Sequence, residues 1–157
     1  MFGGGILQEG RAVLVSGTTD VLMLRWPAWV EDPSCTLSIN NGMAQGSFLF
    51  GGAMGLSGGT LDRLAELLRV SPREVEDRIA DLEPGSGGLL FLPGFTGERA
   101  PYWRERLTGS LIGLTLEHGT EHLLRAAMEG TAFRIRGHIP GDGHVLQGRL
   151  GARPGSG

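Results

Sequence analysis

Ala12-Val13-Leu14-Val15-Ser16-Gly17-Thr18-Thr19-Asp20-Val21-Leu22-Met23-Leu24 sets two apolar runs on either side of a short polar stretch. Aliphatic runs bounded by Gly, Ser, Thr and Asp read as strands joined by a turn. The pattern predicts a hairpin whose tip, Gly17-Thr18-Thr19, presents backbone N–H groups and hydroxyls with little side-chain bulk. Such donors suit an anion, because a hydrogen bond to a charged group is worth about 1.5–3 kcal/mol. The same tripeptide also fits an ordinary polar β-turn.

Upstream, Gly5-Ile6-Leu7 reads as a further strand and Glu9-Gly10 as a turn. Downstream, residues 26–47 look irregular, with a short strand over Cys35–Ile39. Phe48-Leu49-Phe50 then runs into Gly51-Gly52-Ala53-Met54-Gly55-Leu56-Ser57-Gly58-Gly59. A helix is expected next, with Thr60 as N-cap and Leu61, Leu64, Leu67 and Leu68 as its apolar stripe. Ser71-Pro72-Arg73-Glu74 is a capping box with proline at the first helical position, and it predicts a second helix burying Val75, Ile79 and Leu82. Leu89–Leu92 reads as a buried strand and Ser110–Leu116 as another. A third helix is expected from Thr120 to Arg136, with Leu123, Leu124, Ala127, Met128 and Ile135 on one face. Residues 137–157 are rich in glycine and lack a period, so they read as a disordered or non-native tail.

A chain of 157 residues suits one domain, and 40% apolar with 20% charged residues suits a soluble globular one. The net charge of −3 has no block of like charges, so nothing attracts nucleic acid or an anionic membrane. Cys35 is the only cysteine, which excludes an internal disulfide and fits a reducing cytoplasm. No apolar run reaches the length of a membrane-spanning helix, and the start at Met1-Phe2-Gly3-Gly4-Gly5 lacks the basic and apolar regions of a signal peptide. Glycine is the outlier, at 28 residues where the average usage of about 7% gives far fewer. Glycines scattered between apolar runs imply a turn-rich sheet protein whose loops bind something.

Three further stretches carry candidate chemistry. Gly55-Leu56-Ser57-Gly58-Gly59 fits G-x-S-x-G, the nucleophile elbow of serine hydrolases, with Asp77, Asp81, His118 and His122 downstream. No histidine-led glycine-rich oxyanion loop accompanies it, and the pattern arises easily in a glycine-rich chain. His118 and His122 lie four apart and could share a metal on one helix. Gly119-Thr120 reads as the helix start, which leaves His118 outside it, and no third ligand is apparent, so the pair reads as surface residues without metal. Gly97-Glu98-Arg99-Ala100-Pro101-Tyr102-Trp103 is the most ornate stretch and reads as a structural loop in which Glu98 and Arg99 bond backbone or each other. The chain contains no lysine, so it has no Walker A loop.

In chain order, Gly17-Thr18-Thr19-Asp20, Gly52-Ala53 with Ser57-Gly58-Gly59 and Leu61, Leu90-Phe91-Leu92-Pro93, Gly97 to Trp103, Gly109 with Gly113-Leu114-Thr115, and His122 with Arg125-Ala126, Glu129-Gly130 and Ala132 resemble the C-terminal domain of the FGGY carbohydrate kinases. That family includes xylulokinases, gluconokinases and glycerol kinases. The resemblance implies an α/β fold of the ribonuclease-H-like (actin-like ATPase) type, present in part, with a mixed sheet and flanking helices. It implies a partial nucleotide-binding domain over residues 1–136. It further implies transfer of the γ-phosphate from MgATP to a sugar, polyol or aldonate hydroxyl, with Gly17, Thr18 and Thr19 at the phosphates and Gly58 and Asp62 beside the base or ribose. Gly97, Glu98, Arg99 and Pro101 become a family loop of structural role, and Ser57 a helix-entry residue. The family's base aspartate precedes the segment matching Gly3-Gly4-Gly5-Ile6-Leu7, so it is expected upstream of Met1 and no residue here takes that role. Its adenine-side glycine turn is not reproduced after Arg136. A fragment inactive on its own, open to self-association through exposed strand edges, is the resulting expectation.

Overall fold

The computed structural model describes residues 11–29, 31–32, 35–42 and 46–138. Met1, the expected strand at Gly5-Ile6-Leu7, the turn at Glu9-Gly10 and residues 139–157 of the expected tail lie outside the described residues, whereas Gly137 and His138, read as the start of that tail, belong to a helix. Among the described residues, six strands and three α-helices follow one another: β1 Ala12–Ser16, β2 Thr19–Trp26, β3 Ser38–Asn41, β4 Phe48–Leu56, α1 Gly58–Leu68, α2 Glu76–Asp81, β5 Leu90–Leu92, β6 Ser110–Ile112 and α3 Thr120–His138.

The hairpin read from residues 12–24 is present, with β1 and β2 paired antiparallel and Ser16 opposite Asp20 at the tip. β4 pairs with β2, and β3 with β4, giving the order β1-β2-β4-β3. Every pairing among the described strands is antiparallel, where a mixed sheet was expected. The β2–β4 register shifts between Thr19 and Val21. A bulge of this kind re-aims a side chain, and Asp20, which it spans, is fully buried.

Two clusters form the core. Leu24, Trp26 and Phe50 gather with Ala28, Leu37, Ile39 and Phe48 at the far end of the sheet from the hairpin tip. Leu64, Ala65, Val75, Ile79, Leu89, Phe91, Leu124, Ala126 and Ala127 join α1, α2, β5 and α3. Burying one such aliphatic or aromatic side chain stabilises by about 1.5–3 kcal/mol. Helix α3 crosses β5 so closely that a Cβ at Gly130 would collide with the Phe91 carbonyl oxygen, so only glycine fits there.

Several element boundaries differ from expectation for identifiable reasons. Helix α1 starts at Gly58 with Ser57 at the N-cap position, so Thr60 lies inside it. The Thr60 hydroxyl donates back to the Leu56 carbonyl at 3.1 Å instead of capping. Leu67 faces outward, leaving Leu64 and Ala65 as the buried face. The capping box at Ser71 is present, but it opens a 3₁₀ turn over Pro72–Val75, and α2 begins only after Val75 leaves helical geometry. Leu82 ends up half-buried beyond that helix. The expected strand at Cys35–Ile39 forms three residues later, because Cys35 takes a left-handed conformation. β5 and β6 are three residues each, and within β5 only Phe91 is buried, where a fully buried strand was expected. On α3, Met128 is exposed and Ala126 takes its place in the packed face.

Candidate nucleotide site

The hairpin tip and the start of α1 form one site. The Ser57 N–H donates to the Thr18 carbonyl at 2.9 Å, the Gly58 N–H to the Gly17 carbonyl at 2.9 Å, and the Gly59 N–H to the Thr18 carbonyl at 3.2 Å. A Cβ at Gly58 would stand 2.7 Å from the Gly17 oxygen, so the close approach of helix to turn requires glycine. Gly17, Thr18, Thr19 and Gly58 are thus brought together. Asp62 lies one helical turn beyond Gly58 and is exposed.

The three N–H groups that open α1 are turned on the hairpin carbonyls, so they are not the donors offered outward. Gly17, Thr18 and Thr19 are exposed. Among the described residues the Thr18 N–H and hydroxyl have no acceptor.

Beneath the tip lies a buried charge cluster that the sequence reading did not assign. Asp20 and Glu98 are fully or nearly fully buried, and Arg134 from α3 reaches between them. Arg134 Nη2 is 3.5 Å from Asp20 Oδ2, and Nη1 is 3.6 Å from Glu98 Oε2. Arg134 Nη2 also donates to the Gly55 carbonyl at 3.3 Å, while the Gly55 N–H donates to Glu98 Oε1 at 2.9 Å. The other Asp20 oxygen accepts the Ser16 hydroxyl at 2.6 Å. A signal for this cluster was available: Arg134 continues the Ala127 and Thr131 face of α3, and a charge on a packed face requires partners.

No residue of the sequence was expected to serve as catalytic base. Met1 and the nine residues after it lie outside the described residues. Asp20, the carboxylate directly under the turn, is buried and committed to Ser16 and Arg134, so it does not take the base's place.

The loop from Gly97 is held by backbone and carboxylate hydrogen bonds. Glu98 and Arg104 exchange both backbone hydrogen bonds at 2.8 Å, and the Arg99 N–H donates to the Glu98 carboxylate at 3.3 Å. The Ala100 N–H donates to the Ala53 carbonyl at 3.2 Å, and the Ala100–Pro101 bond is cis. The loop is thus sewn to β4 just before the site.

The other candidates resolve differently. Ser57 is buried as a residue and its hydroxyl meets no histidine among the described residues, so it has no base with which to form an elbow. His118 precedes α3, as read from Gly119-Thr120. His118 Nδ1 accepts the Thr115 N–H at 2.9 Å and His122 Nδ1 accepts the Gly119 N–H at 3.0 Å, so both rings hold the approach to α3. Among the described residues no group of three metal-ligating side chains converges. A cavity of about 520 Å³ lies between β5 and α3, walled by Leu90, Leu92, Leu107 and Phe133 and bordered by Glu98 and Arg134 of the charge cluster.

Near the other end of α3, Arg125 Nε donates to Glu129 Oε1 at 2.7 Å, and Glu129 accepts the Gly85 N–H. Burial alone would raise the Glu129 carboxyl, but the Arg125 hydrogen bond, the Gly85 N–H and the Arg125 charge together hold it below its ordinary value.

The fold and this turn-and-helix site define a domain of the actin-like ATPase class, and solved structures agree. The chain matches a xyloylose kinase from Brucella ovis with TM-score 0.82 and 25% identity, over 94% of this chain and 30% of that one. It matches Plasmodium falciparum glycerol kinase with ADP with TM-score 0.78 and 27% identity, over 96% and 30%. Glycerol kinase 1 of Thermotoga maritima is 32% identical over 141 residues, 87% of this chain and 28% of that protein. The gluconokinase of Bacillus subtilis (strain 168) is 46% identical over 72 residues, 45% of this chain and 14% of that one. The chain belongs to the FGGY family of carbohydrate kinases, whose C-terminal domain matches residues 12–140. It spans less than a third of the length of these relatives. Among the described residues no helix is long and apolar enough to cross a membrane.

Proposed function

We propose that this chain supplies the phosphate-facing part of an ATP-dependent carbohydrate kinase, which transfers the γ-phosphate to a sugar, polyol or aldonate hydroxyl. The observation that carries the reading is the exposed Thr18 N–H and hydroxyl, held at a tip that α1 braces from behind. Hydrogen bonds from a preorganised backbone hold phosphates in line, which is most of what a protein contributes to phosphoryl transfer. Gly17 and Thr19 frame the donors, Gly58 admits the close approach, and Asp62 lies where a ribose or base would extend along α1. The donor set fits a triphosphate, and Mg²⁺ would arrive on its oxygens, since Mg²⁺ is usually held by substrate phosphates and few carboxylates. Bound MgATP supplies the transferable phosphoryl group.

The working unit is residues 1–136, the place of action is the cytoplasm, and the partners are ATP and the carbohydrate, not nucleic acid or membrane. On its own the 157-residue chain turns over no sugar, a reading supported by the small share of its relatives that it spans. Equilibrium binding of MgATP to the chain and to Thr18→Val tests the site. The expected result is measurable binding that weakens about tenfold in Thr18→Val, as loss of a hydrogen bond to a charged group implies. Equal binding by both would contradict it, as would sugar-dependent ATP consumption by the chain alone.

A further inference from the structure

We propose that Arg134 is a positioning residue for the phosphates of a nucleoside triphosphate, acting through Asp20 and Gly55 on the Gly17-Thr18 turn. The inference rests on the reading of that turn as a phosphate site and assigns a residue far past α1 in the chain to its geometry. Ser16 and Asp20 face each other at the base of the turn. One Asp20 oxygen takes the Ser16 hydroxyl and the other faces Arg134, so a single carboxylate fixes both legs of the hairpin just below its tip. On the opposite wall, Gly55 is held from both sides, its carbonyl by Arg134 and its N–H by Glu98. Gly55 stands two residues before Ser57, whose N–H grips the Thr18 carbonyl. The guanidinium therefore joins the hairpin legs to the strand that launches α1, and these two elements hold the Thr18 turn.

Charge explains why a guanidinium is needed. Asp20 and Glu98 place two buried carboxylates around one cation. Without it, two like charges of low solvation repel, and the hairpin and the Glu98 loop move apart. A planar fork can face two carboxylates and a carbonyl at once, which an ammonium on a flexible stem does not reproduce. Arg134→Lys therefore retains the charge and loses the alignment.

The test uses the full chain and inorganic triphosphate with Mg²⁺ as probe, with affinity measured on the folded fraction. Arg134→Lys is expected to bind about tenfold more weakly, the equivalent of one charged hydrogen bond. Arg134→Gln and Asp20→Asn are expected to weaken binding, and the double variant no more than either alone, because one acts through the other. A purely structural tie would lower thermal stability yet leave the affinity of the folded protein unchanged, and that outcome overturns the proposal. If the variants do not fold, the Arg134 Nε–H resonance of the wild-type chain decides: it is expected to shift on saturation with triphosphate, and an unmoved resonance counts against the proposal. Failure of the wild-type chain to bind triphosphate would instead sink the phosphate-site reading itself.

Discussion

Arg125 and Arg134 stand on the same helix, and each meets carboxylate, but they hold different things in place. Arg125 pairs with Glu129 one turn along, partly in solvent, and its Nη1 reaches the Ile79 carbonyl at 3.4 Å at the end of α2. Glu129 in turn takes the Gly85 N–H and the Ser86 hydroxyl. This cluster pins the turn between α2 and β5 to α3. Arg134 is buried and pairs with Asp20, which lies 114 residues away in the chain. The first arrangement secures local packing. The second spans β2, β4 and the Glu98 loop, and it lies directly under the candidate phosphate turn. The same residue type on opposite faces of one helix can serve packing or site geometry, and burial with distant partners separates the two.

The comparison is easiest to break at Arg134. Truncation of one member of a buried ion pair costs about 3–5 kcal/mol, since the partner charges remain in a poor solvent. Arg134→Met is expected to lose stability on that scale in urea unfolding, and a loss below about 1 kcal/mol would place the cluster in a wetter setting than its burial implies.

Arg125→Ala is the smaller perturbation, with an expected cost of about 1 kcal/mol at neutral pH, because the pair is partly solvated. Its pH dependence carries the sharper signature. The Glu129 carboxyl is lowered in the folded chain, so its contribution is present above the unfolded carboxyl value and fades as pH falls through the folded value. The stability gap between wild type and Arg125→Ala should therefore close in acid. A gap that widens on acidification would show that Arg125 does not act through the Glu129 charge.

Much of the fold was legible in the chain. The hairpin at 12–24, the three helical regions and the capping box at Ser71 follow from local periodicity and turn chemistry, and the structure carries each of them. Misplaced boundaries came from tertiary bonds. Thr60 has the chemistry of a cap, but the hairpin carbonyls take the N–H groups of residues 57–59 and draw the helix start back to Gly58. Leu90 and Leu92 read as core because they are aliphatic, yet a three-residue strand buries only the side that faces α3. Gly17-Thr18 was legible as a turn with accessible backbone because glycine and threonine carry little bulk, whereas Gly58 was singled out only by the family resemblance. Asp20 and Arg134 were not legible, because their pairing is a contact between elements at opposite ends of the described fold, and nothing in either segment alone announces it. The ion pair becomes visible only once α3 is laid against the sheet.

The exposed tip at Gly17-Thr18, braced by α1, is proposed as the place where nucleotide phosphates bind. Amide chemical shifts of the isotope-labelled chain, followed while MgADP is added, test it most directly. The account requires the largest changes at Gly17, Thr18 and Thr19, with smaller ones at Ser57, Gly58 and Gly59. Changes confined to the apolar cavity around Leu90, Leu92 and Phe133, or no changes at all at saturating nucleotide, would contradict it.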